Sequence, residues 1–344
     1  MRYNELTPYG GALMGLCFVL GLTAAIALIP IFRFYKTGIY EPHIGDRFRN
    51  DDSSPRFGGA VMMIGIAAGG VGSIALLCAK SSFGNDDVKR LTSALIFAFL
   101  AFLAGFLQDY IKQKLNRPAG IKGSLLFLFL WGLCVCFLVS LRLISGLTGE
   151  VLLPFRLGFI SFGAFYYPVF GLLMTLCIYA FRVHDTFGGE EKYCCEGLMG
   201  VSVMLISLFF AAVGSGECSL LGYITAGSAA GLLIWSFYPA KVYFGESGQL
   251  LCGALICAMC IISGKDLLLI FLPTSAIIDI LAAFIRFVHY KRTKRVLLLG
   301  GSLHAHLKQK GVSDVKVILW SLPITLAGIA AAAAFWIYSE NILS

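Results

Sequence analysis

Charge is what this chain has least of. Only 13% of its 344 residues are Asp, Glu, Lys or Arg, while 58% are hydrophobic and the mean hydropathy is +0.83. A water-soluble domain of this length lacks the interior to hide so much apolar surface. A soluble protein is therefore excluded, and lipid is the solvent for most of the chain. Paired metal-ligand spacings are missing too. The eleven cysteines fall mostly inside apolar runs, and the adjacent Cys194 and Cys195 suit neither a zinc knuckle nor an ordinary disulfide; they read as small packing residues. No internal repeat of the kind that builds many transporters stands out, nor any low-complexity tract. The first apolar run is too long, and its flank too weakly basic, for a cleaved signal peptide.

What the chain does have is hydrophobic runs long enough to cross a bilayer. Ten are expected, at about 10–32, 57–79, 91–108, 123–141, 160–181, 197–214, 218–236, 247–263, 266–287 and 316–338. The fold class is all-α, a polytopic membrane protein, with residues 1–344 forming one integral-membrane domain. Nineteen Lys and Arg residues fall in loops after odd-numbered runs, among them Arg56, Lys112, Lys122, Arg182, Lys241 and Lys291 to Arg295; seven fall on the other side. By the positive-inside rule those loops face the cytoplasm and both termini face out.

All five histidines (His43, His184, His289, His304 and His306) share the basic side, as do Asp109, Asp185, Glu190, Glu191, Glu196 and Glu246. Attraction to anionic headgroups accounts for the basic cluster at 291–295. It does not account for acids and histidines mixed among the cations. Loops of both signs suit a polyanionic substrate bound through a divalent cation, with Lys and Arg meeting the remaining phosphate charge.

Four stretches carry that chemistry. In "AGFLQDYIKQKLNRPAGIKG", Asp109 and Lys112 share a helix face if the third run continues; a surface ion pair at a helix end is the plainer alternative. "FRVHDTFGGEEKYCCEGLMG" places Asp185 before a glycine turn and Glu196 after a polar insert, or is simply a solvated loop. In "YPAKVYFGESGQLLCG", Gly245 and Gly248 permit a tight turn and leave Glu246 at the mouth of the eighth run. There it is either a ligand-facing acid or an anion favoured by the helix dipole. "LLGGSLHAHLKQKG" brings His304 and His306 together only if it is extended or irregular, because a regular helix would point them apart. Asp279, inside the ninth run, must face protein or water, and pairing within the bundle is its expected state.

The order of these motifs, from "SPRFGGAVMM" (54–63) to "HAHLKQKGVSDVKVILWS" (304–321), resembles the phospho-N-acetylmuramoyl-pentapeptide transferase family of the polyprenyl-phosphate N-acetylhexosamine-1-phosphate transferase superfamily. The resemblance implies a Mg²⁺-dependent enzyme of the bacterial plasma membrane. It would join undecaprenyl phosphate to the phospho-sugar of UDP-N-acetylmuramoyl-pentapeptide and release UMP, with peptidoglycan as the destination. It implies Asp109, Asp185 and Glu246 as catalytic residues, the last two as metal ligands. Gln108, Lys112, Lys122, His304 and His306 are implied in substrate binding. The bilayer, the lipid phosphate and a UDP-linked amino sugar are the implied partners, with a homodimer and without nucleic acid.

The chain also departs from the family pattern. Gln108 stands where the family has the first of two aspartates, Tyr179 and Arg182 where it has asparagines, and Thr186 where it has the glycine after Asp185. Ser236 stands for an asparagine upstream of the Glu246 loop, and Gln249 for a serine after it. Glu246 replaces an aspartate, and Ala305 the middle of three histidines. A transferase for another UDP-N-acetylhexosamine, a binding or scaffold paralogue, and a transporter are the alternatives that these departures leave open.

Overall fold

A computed structural model describes residues 3–34, 56–79, 85–114, 120–146, 149–154, 158–185, 195, 197–295 and 302–343. Twelve helices appear among them: α1 (Tyr3–Phe34), α2 (Gly58–Ala79), α3 (Asn85–Lys114), α4 (Gly123–Ser145), α5 (Tyr166–Asp185), α6 (Leu198–Val213), α7 (Gly216–Ser236), α8 (Gly245–Ile262), α9 (Leu268–Phe271), α10 (Thr274–Thr293), α11 (Leu303–Gln309) and α12 (Asp314–Leu343). One small antiparallel hairpin, β1 (Glu150–Leu152) with β2 (Phe159–Ser161), joins α4 to α5 and pairs Val151 with Ile160. With no water in the hydrocarbon to satisfy backbone groups, a chain this apolar is driven to close its hydrogen bonds within helices.

Eight helices (α1 to α5, α7, α8 and α12) are long and apolar enough to cross a membrane. The protein is a multi-pass membrane protein. Two of the ten expected spans take other forms. The sixth run makes the sixteen-residue α6, between Gly197 and Gly214. The ninth is not one helix: it divides at Pro273 into α9 and α10, and α10 continues to Thr293, past the expected end at 287. Pro273 lacks the amide that would continue the helical ladder. The ten described cysteines are free and most are buried, as expected of packing residues.

Burial ranks the helices. In α8, 94% of the span lies inside the protein, against 28% in α1 and α12, so α8 is the axis and those two are periphery. A helix that is apolar on every side belongs in the middle, and α2, α3, α5, α6 and α7 surround this one. Close approach is built in. A side chain on Gly105 of α3 would meet the Glu246 carbonyl at 2.4 Å. The N-terminus of α8, which carries Glu246, is thereby pressed into the junction of α3 and α5.

The two ends of the bundle differ. At one, Tyr166 at the start of α5 hydrogen-bonds Asp266 at 3.0 Å, and Lys265 pairs with Glu340 at 2.9 Å. At the other, the ends of α3 and α5, the start of α8, and α10 and α11 gather the buried charged groups described next.

Candidate active site

Asp109 sits on the last full turns of α3 with 1% of its surface exposed. Its two carboxylate oxygens accept from the backbone amides of Glu246 (3.0 Å) and Ser247 (2.9 Å). These are first-turn amides of α8, whose own N-cap residue, Phe244, supplies no side-chain cap. Asp109 is therefore a cap supplied from another helix, satisfying orphan donors and lying against the positive end of the α8 dipole. The turn into α8 requires glycine: Gly245 has φ of 69°, and a Cβ there would lie 1.9 Å from the Arg56 carbonyl. Neighbouring Gln108, equally buried, accepts from the Ile121 amide at 2.8 Å and ties α3 to the turn before α4.

Glu246, held in place by that cap, points at two cations. Its Oε1 accepts from Lys112 Nζ and, at 2.9 Å, from Arg182 Nη2 of α5. Arg182 in turn lies 5.6 Å from the centroid of the Tyr179 ring, and the Tyr179 hydroxyl donates to the Gly123 carbonyl at 3.2 Å. The second carboxylate oxygen, Oε2, is buried and has no hydrogen-bond partner among the described residues. Lys112 and Arg182 share one oxygen of Glu246, and both keep further N–H donors that can turn to an incoming anion, in a setting with little water to compete. Such a cluster suits an arriving phosphate.

A second cluster lies around Asp279. Its Oδ2 contacts His184 Nδ1 at 2.7 Å and His304 Nδ1 at 3.1 Å, while Oδ1 accepts from the Leu303 amide at 3.1 Å. All three side chains are buried. The pairing expected of Asp279 is found.

The expected site residues thus divide. Asp109, Lys112, Gln108 and Glu246 come together at the α3–α8 junction, with Asp109 as a cap rather than a group facing a ligand. Lys122 stands exposed at the start of α4, next to Ile121, and makes no hydrogen bond to the cluster among the described residues. His304 turns into the Asp279 cluster. The loop expected to let His304 and His306 converge is instead the helix α11, capped by Ser302, whose Oγ accepts from the Ala305 amide at 3.3 Å. As a regular helix must, it separates the two, and His306 is half-buried outside that cluster. Asp185 ends α5, and its side chain lies outside the described residues, as does Glu196. Reasoning from sequence missed Arg182 and His184 as site members. Arg182 stood out only as a departure from a pattern, and no local spacing connects residues 184, 279 and 304.

The glycosyl transferase family 4 pattern matches residues 91–264, half of the chain, from α3 to the end of α8. The chain belongs to glycosyl transferase family 4. It is also similar over nearly its whole length to enzymes named phospho-N-acetylmuramoyl-pentapeptide-transferase. That of Halalkalibacterium halodurans is 26% identical over 326 residues, covering 94% of this chain and 96% of the relative. That of Clostridioides difficile is 23% identical over 328 residues, covering 93% and 96%. The Desulforamulus reducens enzyme is 26% identical over 342 residues, covering 95% and 97%. The matched family segment ends just after the α8 axis and contains the whole Asp109, Lys112, Arg182 and Glu246 cluster.

Proposed function

We propose that this chain moves phospho-N-acetylmuramoyl-pentapeptide from its UDP donor to undecaprenyl phosphate at the cytoplasmic face of the membrane, releasing UMP. The observation that carries this reading is the pairing of Lys112 and Arg182 on the buried Glu246 at one end of a lipid-embedded bundle. Full-length similarity to enzymes named for that reaction supports it. An oxygen of the lipid phosphate attacks the β-phosphorus of the donor, and the bond from that phosphorus to the bridging oxygen of UMP breaks. One pyrophosphate is exchanged for another. The chain's contribution is to position two polyanions and offset their charge. Lys112 and Arg182, each able to turn from Glu246 toward a phosphate oxygen, serve that end. The nucleophile is already an anion near neutral pH, so Gln108 in place of a carboxylate does not forbid the reaction.

The donor set fits Mg²⁺. Glu246 Oε2, without a partner among the described residues, is an oxygen ligand of the required kind, and Mg²⁺ commonly takes one or two carboxylates and completes its shell with water and substrate phosphates. Glu246 would hold it, with Asp185 as the second acid; the bound ion would neutralise charge on the phosphoryl group and the leaving UMP. Asp109, both oxygens engaged by amides, positions Glu246 and is not a ligand in this arrangement.

A second reading is favoured by one observation: Gln108 and Asp109 are both engaged in holding backbone, so the chain is also built as a lipid-phosphate or UDP-sugar binding protein would be. Turnover by the purified protein in nanodiscs separates the two. Undecaprenyl phosphate is supplied with UDP-N-acetylmuramoyl-pentapeptide or UDP-N-acetylglucosamine, with and without Mg²⁺, and UMP is counted. Mg²⁺-dependent UMP release with the muramoyl-pentapeptide donor is expected. Release with the other donor alone moves the assignment to a different hexosamine, and binding without release makes the scaffold reading the better one.

A further inference from the structure

The Asp279 cluster takes no part in the reaction above. We propose that His184, Asp279 and His304 form a site for a transition-metal dication of the zinc class, joining α10 and α11 to the end of α5. Each residue offers one ligand atom, and the three atoms lie within 4.8 Å of one another. A zinc ion with bonds of about 2.0–2.1 Å holds neighbouring ligand atoms about 3.3 Å apart in a tetrahedron. The separations from Asp279 Oδ2 to the two Nδ1 atoms are 2.7 and 3.1 Å. The ion would be admitted by opening those two contacts by about 0.6 and 0.2 Å, with the two imidazole ligand atoms, which lie within 4.8 Å of one another, set at the same spacing.

The outer partners that orient metal ligands are also in place. His184 Nε2 lies 3.1 Å from Ser202 Oγ, and Ser302 Oγ lies beside the His304 ring, 3.1 Å from Nδ1 and 3.2 Å from Nε2. With the ion on Nδ1, His184 Nε2 keeps its proton and donates it to Ser202 Oγ. Asp279 Oδ1 is fixed by the Leu303 amide. The ligands come from three separate elements, so the site depends on tertiary structure and not on a local motif. Two imidazoles and one carboxylate favour zinc, cobalt or nickel over Mg²⁺, which prefers oxygen throughout. The fourth tetrahedral position is left to water or to an oxygen ligand. In the competing arrangement the same atoms are bridged by protons alone.

Metal content distinguishes the two without reference to turnover. The full chain, purified in detergent and stripped with a chelator, is titrated with Co²⁺ and with Zn²⁺ in the presence of excess Mg²⁺. About one equivalent of Co²⁺ per chain is expected, with the visible ligand-field bands of a tetrahedral N/O site, displaced by Zn²⁺ and unaffected by Mg²⁺. Asp279→Asn, which keeps shape and hydrogen bonding, should abolish the bands. Ser202→Ala should weaken binding by about 10–100-fold, and His289→Ala, on the same helix as Asp279, should leave it intact. Bands equally strong in Asp279→Asn, or none in the wild-type protein, would overturn the site and leave a hydrogen-bonded triad.

Discussion

Two buried acids each pair with a residue of the last turns of α5, and each is held by two basic groups. Glu246 meets Lys112 and Arg182; Asp279 meets His184 and His304. The difference lies in the partners. Ammonium and guanidinium groups carry only donors, so the Glu246 cluster has N–H groups to offer an anion. A neutral imidazole has a lone pair to give a metal ion, so the Asp279 cluster has ligand atoms to offer a cation. On the two proposals above, one helix end would serve an anion-binding site through Arg182 and a cation-binding site through His184, two residues apart.

The largest effect is expected from removing the acid that the permanent cations share. Glu246→Ala strands Lys112 and Arg182 in a buried setting, which costs about 3–5 kcal/mol when one member of such a set is deleted. It also removes the described carboxylate oxygen of this cluster that is left to meet Mg²⁺. Mg²⁺-dependent UMP release should fall at least about a hundredfold, with a lowered thermal midpoint. The double variant Glu246→Gln with Arg182→Gln should recover the midpoint and not the turnover. Full activity in Glu246→Ala would remove that residue from the site.

A smaller loss is expected at Asp109, which acts on the same acid from behind. Asp109→Asn keeps an acceptor for one α8 amide and gives up the charge that opposes the helix dipole. By analogy with charged hydrogen bonds, about 1.5–3 kcal/mol of stability is at stake. Because Asp109 positions Glu246, the turnover loss should be accompanied by a raised Mg²⁺ requirement, measured as the concentration giving half-maximal rate. A simple fall in rate at unchanged Mg²⁺ dependence would contradict the positioning role.

How far these features could be read from sequence depends on the range over which they act. Lipid imposes a long-range, averaged constraint, so the spans and the all-helical class follow from hydrophobic runs alone. The site is set by short-range geometry between residues far apart in the chain. Asp109 and Lys112 were recognisable because both lie on one helix face. The same spacing gave no hint that Asp109 spends both oxygens on α8 amides. Tyr179, Arg182 and Glu246 stood out as separate departures from a family pattern. In the folded protein they form one unit, with the longer acid reaching a guanidinium that rests on the Tyr179 ring. The ninth run hid its break because averaged hydropathy does not register the backbone consequence of Pro273.

Gln108→Asp tests whether the amide is a loss or a design. Aspartate is one methylene too short to keep the 2.8 Å bond from the Ile121 amide, and it would bury a second negative charge beside Asp109. Turnover should drop by no more than about tenfold, with a modest fall in thermal midpoint, and it should not rise. A tenfold rise would show that the Glu246 cluster is a decayed form of a site that once used a carboxylate there, and would weaken the contrast drawn between the two acids.

The smallest effect belongs to Lys122. It is exposed at the start of α4 and hydrogen-bonds to neither cluster among the described residues; water and salt screen its charge, so it contributes little at short range. Lys122→Ala should change UMP release less than about threefold at saturating donor. If it helps to draw the polyanionic donor toward the buried cations, the change will appear in kcat/KM at low salt and vanish at high salt. An effect that persisted at high salt would mean that Lys122 contacts the donor directly, and the anion site would then extend from the buried Glu246 cluster to the exposed start of α4.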